Sequence, residues 1–98
     1  MAGKMKTAEQ MERHFKGLAN HHRINILFLV DGAEGLGVED IAKRLDANFK
    51  TISQHIRYLF NAGLIRKKYR GPKVEHSLSP YGKVFVKFAK EFQRIDTT

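Results

Sequence analysis

Apolar residues recur at helical spacing at Ala8, Met11, Phe15, Leu18 and Ala19, and this spacing predicts a first helix over 7–19. Asn20 is a favoured N-cap. Ile24, Ile26, Leu27 and Val30 behind it predict a second helix that stops at Asp31-Gly32. A short loop, Ala33 to Gly35, leads into a short strand at Leu36. Val38, Ile41, Ala42 and Leu45 then predict a third helix, with Gly37 as a mediocre cap and Asp40 placed to favour the positive end of the helix dipole. Asp46-Ala47 reads as a tight turn. Asn48 caps a fourth helix from Phe49 to about Asn61, and Gly63 ends it in the left-handed conformation that glycine tolerates best. Leu64 to Tyr69 and Val74 to Leu78 read as two strands, joined by the turn Arg70-Gly71-Pro72-Lys73. Ser79 caps a fifth helix over 80–95, with Pro80 at its favoured first position. That helix is apolar at Tyr81, Val84, Phe85, Phe88, Ala89, Phe92 and Ile95.

The order is helix, helix, short strand, helix, turn, helix, hairpin, helix. This mainly α chain with a small β-hairpin is a winged helix-turn-helix, α-α-β-α-α-β-β-α. The 98 residues make one domain, 1–98. A chain of this size buries roughly 60–65% of its unfolded surface, so the core is modest and a partner chain would help it. There is no Cys, which excludes disulfides and thiolate metal sites. The N-terminal MAGKMKTAEQM has no apolar core segment and does not read as a signal peptide. The longest apolar run, Ile24 to Val30, is interrupted by Asn25 and falls far short of the ~20 residues of a membrane span. A soluble, cytoplasmic protein with no membrane partner is the expectation.

Charge sharpens the picture. The formal net charge of +8 favours nucleic acid or an anionic membrane surface. Its distribution is uneven. Between Asp46 and Glu75 there is no acidic residue, but Lys50, Arg57, Arg66, Lys67, Lys68, Arg70 and Lys73 all fall there. The fourth helix and the hairpin are thus stripped of negative charge, which suits a surface that meets the phosphates of duplex DNA. On a helical wheel, Ile52, Ile56, Leu59 and Phe60 fall on one face and should pack on Ala42, Leu45 and the second helix. Phe49, Lys50, Ser53, Gln54 and Arg57 fall on the opposite face. Gln reads adenine in bidentate fashion, and Arg or Lys reads guanine or clamps phosphate. Ser and Thr bond base edges or phosphates. Phe49 has two readings, contact with thymine methyls or packing against the turn.

Strand alternation puts Arg66 and Lys68 on one face of the hairpin, with Lys67 and Tyr69 on the other. Arg70 and Lys73, at the tip, are expected to reach the flanking DNA backbone or the minor groove. Each phosphate contact should add roughly one unit to the salt slope of binding.

Other chemistry finds little support. His14, His21 and His22 with Glu12 could in principle hold zinc, but adjacent histidines face different ways on a helix and no ligand set recurs at i, i+4. His21 and His22 read as surface residues at a helix start, and His55 as a flank residue near the DNA phosphates. Ser53 and His55 do not face each other on a helix, and no acid nearby in sequence orients a base, so no nucleophile-base pair is present. Gly32, Gly35 and Gly37 are loop glycines and not a phosphate loop. Neither an enzyme nor a resident metal or cofactor is expected. Phe85, Phe88 and Phe92 give the last helix more aromatic surface than one small core needs. With Met11 and Phe15 they could form a dimer seam, which makes the terminal helices 7–19 and 80–95 dimerisation elements; alternatively they close the monomer core.

FKGLANHHRINILFLV (Phe15 to Val30), VEDIAKRL, TISQHIRYLFNAGLI (Thr51 to Ile65), a Gly71-tipped wing and SLSPYGK together resemble the ArsR-type, arsenical-repressor-like winged-helix regulators over about four-fifths of the chain. MarR-like groups share the Leu-Ser-Pro-x-Gly ending. The resemblance implies a homodimeric repressor that binds a double-stranded DNA operator with dyad symmetry and often answers to a small-molecule effector. It places Lys50, Thr51, Ser53, Gln54 and Arg57 where such regulators meet DNA. Phe49 departs from the usual polar residue. Leu36-Gly37-Val38-Glu39-Asp40 lacks the Cys of metal-sensing members, and Lys83 to Ile95 holds no His and only Glu91, so metal sensing by either route is not expected. The alternative from a different class is a winged-helix interaction module that docks on an acidic protein or on RNA.

Overall fold

The computed structural model describes residues 3–96. Its elements are α1 (Ala8–Phe15), α2 (His21–Gly32), α3 (Val38–Arg44), α4 (Phe49–Asn61), β1 (Ile65–Arg70), β2 (Lys73–Leu78) and α5 (Pro80–Gln93), with a 3₁₀ turn at Lys16–Leu18. This is the winged helix-turn-helix arrangement that the sequence predicts. No helix among the described residues is long and apolar enough to cross a membrane.

Side-chain caps set the helix starts. Thr7 and Gln10 form a reciprocal capping box on α1. Asn20 Oδ1 accepts from the backbone N–H groups of His22 and Arg23 at the start of α2. Asn48 Oδ1 does the same for Lys50 and Thr51 at the start of α4, at 2.8 and 3.2 Å. Each such cap stabilises its helix by about 1 kcal/mol. Between α3 and α4 the chain turns at Asp46, whose φ of 50° is one that Asp tolerates better than most residues.

The strand bounds shift by at most one residue, to Ile65–Arg70 and Lys73–Leu78, and three larger differences separate the structure from the sequence reading. The predicted helix 7–19 breaks after Phe15 into the 3₁₀ turn. Gly17 in that turn is buried so tightly that a Cβ there would strike the Leu64 side chain. A close approach set by a residue 47 positions away thus outweighs local periodicity. The short strand at Leu36 shrinks to one bridge with His76. The predicted helix 80–95 ends at Gln93.

The hairpin closes with a two-residue turn, Gly71-Pro72, in which Gly71 takes a φ of 58°. Its register pairs Ile65 with Leu78, Lys67 with His76, Lys68 with Glu75 and Arg70 with Lys73. The core collects Ile26, Leu27 and Val30 from α2, Ile41 and Ala42 from α3, and Ile52, Ile56 and Leu59 from α4. Leu64, Ile65, Leu78 and Val86 complete it. Each fully buried Leu or Ile contributes about 1.5–3 kcal/mol. The base of the hairpin is welded to α5. Ser79 Oγ donates to the Gly63 carbonyl at 2.6 Å and accepts from the Gly82 N–H at 3.0 Å. Gly82 lies against the Leu64 carbonyl, where a Cβ would collide with backbone.

Candidate nucleic-acid interface

α4 has a dry side and a wet side. Ile52, Ile56 and Leu59 are buried, which fixes its rotation about its own axis. That rotation exposes Phe49, Lys50, Gln54 and Arg57, and leaves Thr51 and Ser53 half-buried on either flank. Spacing of 100° per residue brings Lys50, Gln54, Arg57 and Asn61 to the outermost stripe. Asn61 is exposed and one helical repeat beyond Gln54, a position that heptad counting alone could have found. Phe60 was expected in the core. It is instead 43% exposed, with Lys67 Nζ over its ring at 4.5 Å. It lies off the centre of the apolar face, where the Lys67 ammonium from β1 reaches it and the core does not.

Phe49 is 53% exposed. It lines a hollow with Val38 and Asp40 of α3 and Pro72, Lys73 and Val74 of the hairpin. The residue thus sits at the seam between the start of α3 and the wing, with part of its ring still open to solvent.

The hairpin is less uniformly cationic in space than in sequence. Arg66, Lys68 and Arg70 share a face, and the register places Glu75 directly opposite Lys68 on that face. Arg70 Nε donates to Glu75 Oε1 at 2.8 Å, and Lys73 Nζ lies 3.8 Å from Asp40 Oδ2. Both tip cations therefore have acidic neighbours, Glu75 at the edge of the acid-free stretch and Asp40 from α3. Both cations are exposed and Asp40 and Glu75 are only half-buried, so solvent and salt leave these pairs weak and exchangeable for phosphate. Lys67 and Tyr69 occupy the opposite face, as strand alternation predicts, and Tyr69 is 71% exposed, an aromatic to which the sequence assigned a face but no role.

The histidines have separate duties. His14 Nδ1 donates to the Ala62 carbonyl at 2.6 Å, and the ring stacks on Tyr81 with centroids 4.6 Å apart, which docks α1 on the end of α4 and on α5. His76 is buried and donates from Nδ1 to the Leu36 carbonyl at 2.8 Å. Its pKa is lowered chiefly by burial, with Lys67 adding to the effect and the bond to Leu36 opposing it. His55 also lies below the ordinary imidazole value, first through burial and then through Arg23, His22 and His21. Among the described residues no three His, Cys, Asp or Glu side chains converge on a geometry that could hold a metal ion.

At the other end, α1 and α5 carry an apolar face. Phe15 and Phe85 rings meet at 5.4 Å, and Phe88 and Phe92 stack at 6.0 Å. Phe85 is half-buried, while Met11, Phe15, Phe88 and Phe92 are exposed, together with Val84 and Ile95. Phe15, Leu18, Ala19, Val84, Phe85 and Phe88 line one apolar groove. The monomer core thus takes only part of this aromatic set.

The sequence profile described as "Bacterial regulatory protein, arsR family" matches residues 20–67, which span α2, the helix-turn-helix and the start of the hairpin. The arsenical resistance operon repressor of Escherichia coli (strain K12) is 34% identical over 67 residues. The match covers 68% of this chain and 57% of that repressor, so the chain spans a little over half the length of this relative. Among solved structures, HlyU from Vibrio cholerae is similar with a TM-score of 0.79 at 24% identity, covering 91% of this chain and 97% of that one. The homodimeric winged helix-turn-helix DNA-binding domain of a possible ArsR-family regulator from Mycobacterium bovis gives a TM-score of 0.79 at 25% identity. It covers 100% of this chain and 96% of its own.

Proposed function

Since this chain is an ArsR-type winged helix-turn-helix protein, we propose that residues 1–98 act as one domain, a homodimeric, sequence-specific repressor of transcription that places α4 in the major groove of duplex DNA. The observation that carries the reading is the exposed stripe of Lys50, Gln54 and Arg57 on a helix whose rotation is fixed by three buried aliphatic residues. Gln54 and Arg57 read base edges, while Lys50, Thr51 and Ser53 set the register on phosphates. Phe49 braces the wing against the helix-turn-helix and offers its free edge to thymine methyls. Arg66, Lys68, Arg70 and Lys73 grip the flanking backbone, with Arg70 and Lys73 exchanging their carboxylate neighbours for phosphate. Met11, Phe15, Phe85, Phe88 and Phe92 form the dimer seam, supported by the homodimeric state of the Mycobacterium bovis relative. Two copies would present two α4 helices to an operator with dyad symmetry, its half-sites about 34 Å apart.

Selection from a random duplex pool over a range of salt concentrations tests this. Gln54→Ala should relax sequence preference at one or two positions. Arg70→Ala should weaken all duplexes alike and reduce the salt slope by roughly one. Equal displacement of the chain from its selected duplex by heparin, RNA or an acidic protein would instead mark a general polyanion-binding module.

A further inference from the structure

A second cationic surface flanks α4 on the side away from the hairpin. His55 lies on that flank. From α2, the His22 ring stacks on it with centroids 5.1 Å apart, and the His21 ring lies 4.1 Å from that of His22. Arg23 closes the group. Its Nη1 is 3.3 Å from His55 Nδ1, and its guanidinium lies over the Tyr58 ring at 4.0 Å. Its Nε and Nη2 donate to the carbonyls of Gly17 and Lys16, at 3.2 and 3.0 Å. A guanidinium only donates, so His55 Nδ1 accepts and the proton of this neutral imidazole sits on Nε2. The groups that bear electrostatically on His55 are Arg23, His22 and His21, all cationic or potentially so. Glu12, on neighbouring α1, is engaged by Lys16 at 3.3 Å. Three imidazoles and one guanidinium thus meet without a carboxylate in the group, and at His55 burial and these neighbours oppose protonation.

The position of the cluster names an anion that suits it. A helix with its side chains is about 10–12 Å across, and the major groove is about 12 Å wide. A helix lying in the groove therefore has a sugar-phosphate backbone along each flank. One flank of α4 carries Phe49 and Phe60 and adjoins the hairpin. The other carries His55 and Tyr58 and adjoins His22 and Arg23.

We propose that His21, His22, Arg23 and His55 form a binding site for backbone phosphate of the strand opposite the wing, and that protonation of its imidazoles strengthens it, so that DNA affinity rises as pH falls. This rests on α4 being the DNA-reading helix. Protonated His55 can no longer accept from Arg23. Nη1 is released to a phosphate oxygen, while the bonds to Gly17 and Lys16 keep the guanidinium in place. Each imidazolium presents two N–H donors, one more than the neutral ring. By linkage, phosphate bound to the protonated form must raise the apparent pKa of the histidines that hold it. The free protein responds in the opposite sense. A histidine with a depressed folded pKa contributes stability above its unfolded pKa, and that contribution is lost as pH falls through the folded value. Acid thus loosens the free chain and tightens the complex, which separates this site from a general effect of pH.

The test uses the full chain and a mixed-sequence duplex. Affinity is measured at about pH 8 and about pH 5.5 over a salt series, and imidazole titrations are followed by NMR with and without duplex. The expected result is roughly tenfold or greater tightening at the lower pH, a salt slope steeper by roughly one, and raised titration midpoints for His22 and His55 in the complex. His22→Gln/His55→Gln should lose the acid-dependent gain. His22→Lys, with a fixed charge, should gain affinity at the higher pH and flatten the pH profile. Duplex binding with equal affinity at both pH values and unmoved titrations overturns the phosphate site and leaves the role of α4 standing. Failure to bind duplex at either pH overturns both. Equal shifts of the same imidazoles with inorganic phosphate alone, at matched phosphate concentration, overturn the assignment to the duplex.

Discussion

α4 and α5 are nearly the same length, 13 and 14 residues, and both are amphipathic, yet the molecule uses them differently. α4 sends Ile52, Ile56 and Leu59 into the core at 0–2% exposure and shows the solvent a polar stripe. α5 buries Val86 and Gly82 but leaves Val84, Phe88 and Phe92 about 60% exposed. The outer face of α4 is at ease in water and can exchange water for phosphate and base edges. The outer face of α5 is not at ease in water, and only another apolar surface relieves it. The same kind of sequence pattern therefore encodes a fold in one helix and, in the dimer proposed above, an assembly in the other. What decides is whether the chain's own core has room for the apolar side.

The sharpest way to break this contrast is to hollow out α4. Leu59→Ala should lower unfolding free energy by about 2–5 kcal/mol, measured by denaturant titration. A loss below about 1 kcal/mol would mean that α4 is not held as described. The matching change on α5, Phe88→Ser with Phe92→Ser, should leave the stability of the isolated chain within about 0.5 kcal/mol while halving the mass seen by light scattering. A large drop in stability at a concentration where the chain is already single would place these rings in the core after all. The connector between the two helices gives a smaller effect. His76 is buried in β2, held by Leu36 and paired across the ladder with Lys67. Its folded pKa is depressed, so its contribution to stability is full above the unfolded value of about 6.5 and falls away as pH drops below it. The melting temperature should decline from about pH 7 toward about pH 5, and His76→Gln should flatten the part of that decline due to this residue. An unchanged profile in the variant would assign the acid response elsewhere.

Much of the fold was legible because its signals are local. Asn20, Asn48 and Ser79-Pro80 mark helix starts through bonds that span two or three residues. The Ile52, Ile56 and Leu59 spacing fixes which side of α4 is dry. Apart from the end of α5, the main misread features depend on a partner far along the chain. The break after Phe15 answers to Leu64, and the strand at Leu36 is limited by what His76 can reach. Phe60 is covered by Lys67, whose direction depends on the hairpin register. That register also brings Glu75 beside Arg70, so an acid-free stretch of sequence does not become an acid-free surface. The His55–Arg23 contact joins residues 32 apart and leaves no periodic trace, although a helix start carrying His-His-Arg was visible all along.

The joint at Gly82 has a consequence for the whole molecule. With the Leu64 carbonyl occupying the space a methyl group would need, α5 packs against the hairpin base at a distance that only glycine at position 82 allows. That base also follows directly from the end of α4. In a paired molecule of the kind proposed, the two reading heads would then be held at a separation fixed by a missing side chain, like the points of a caliper locked at its pivot.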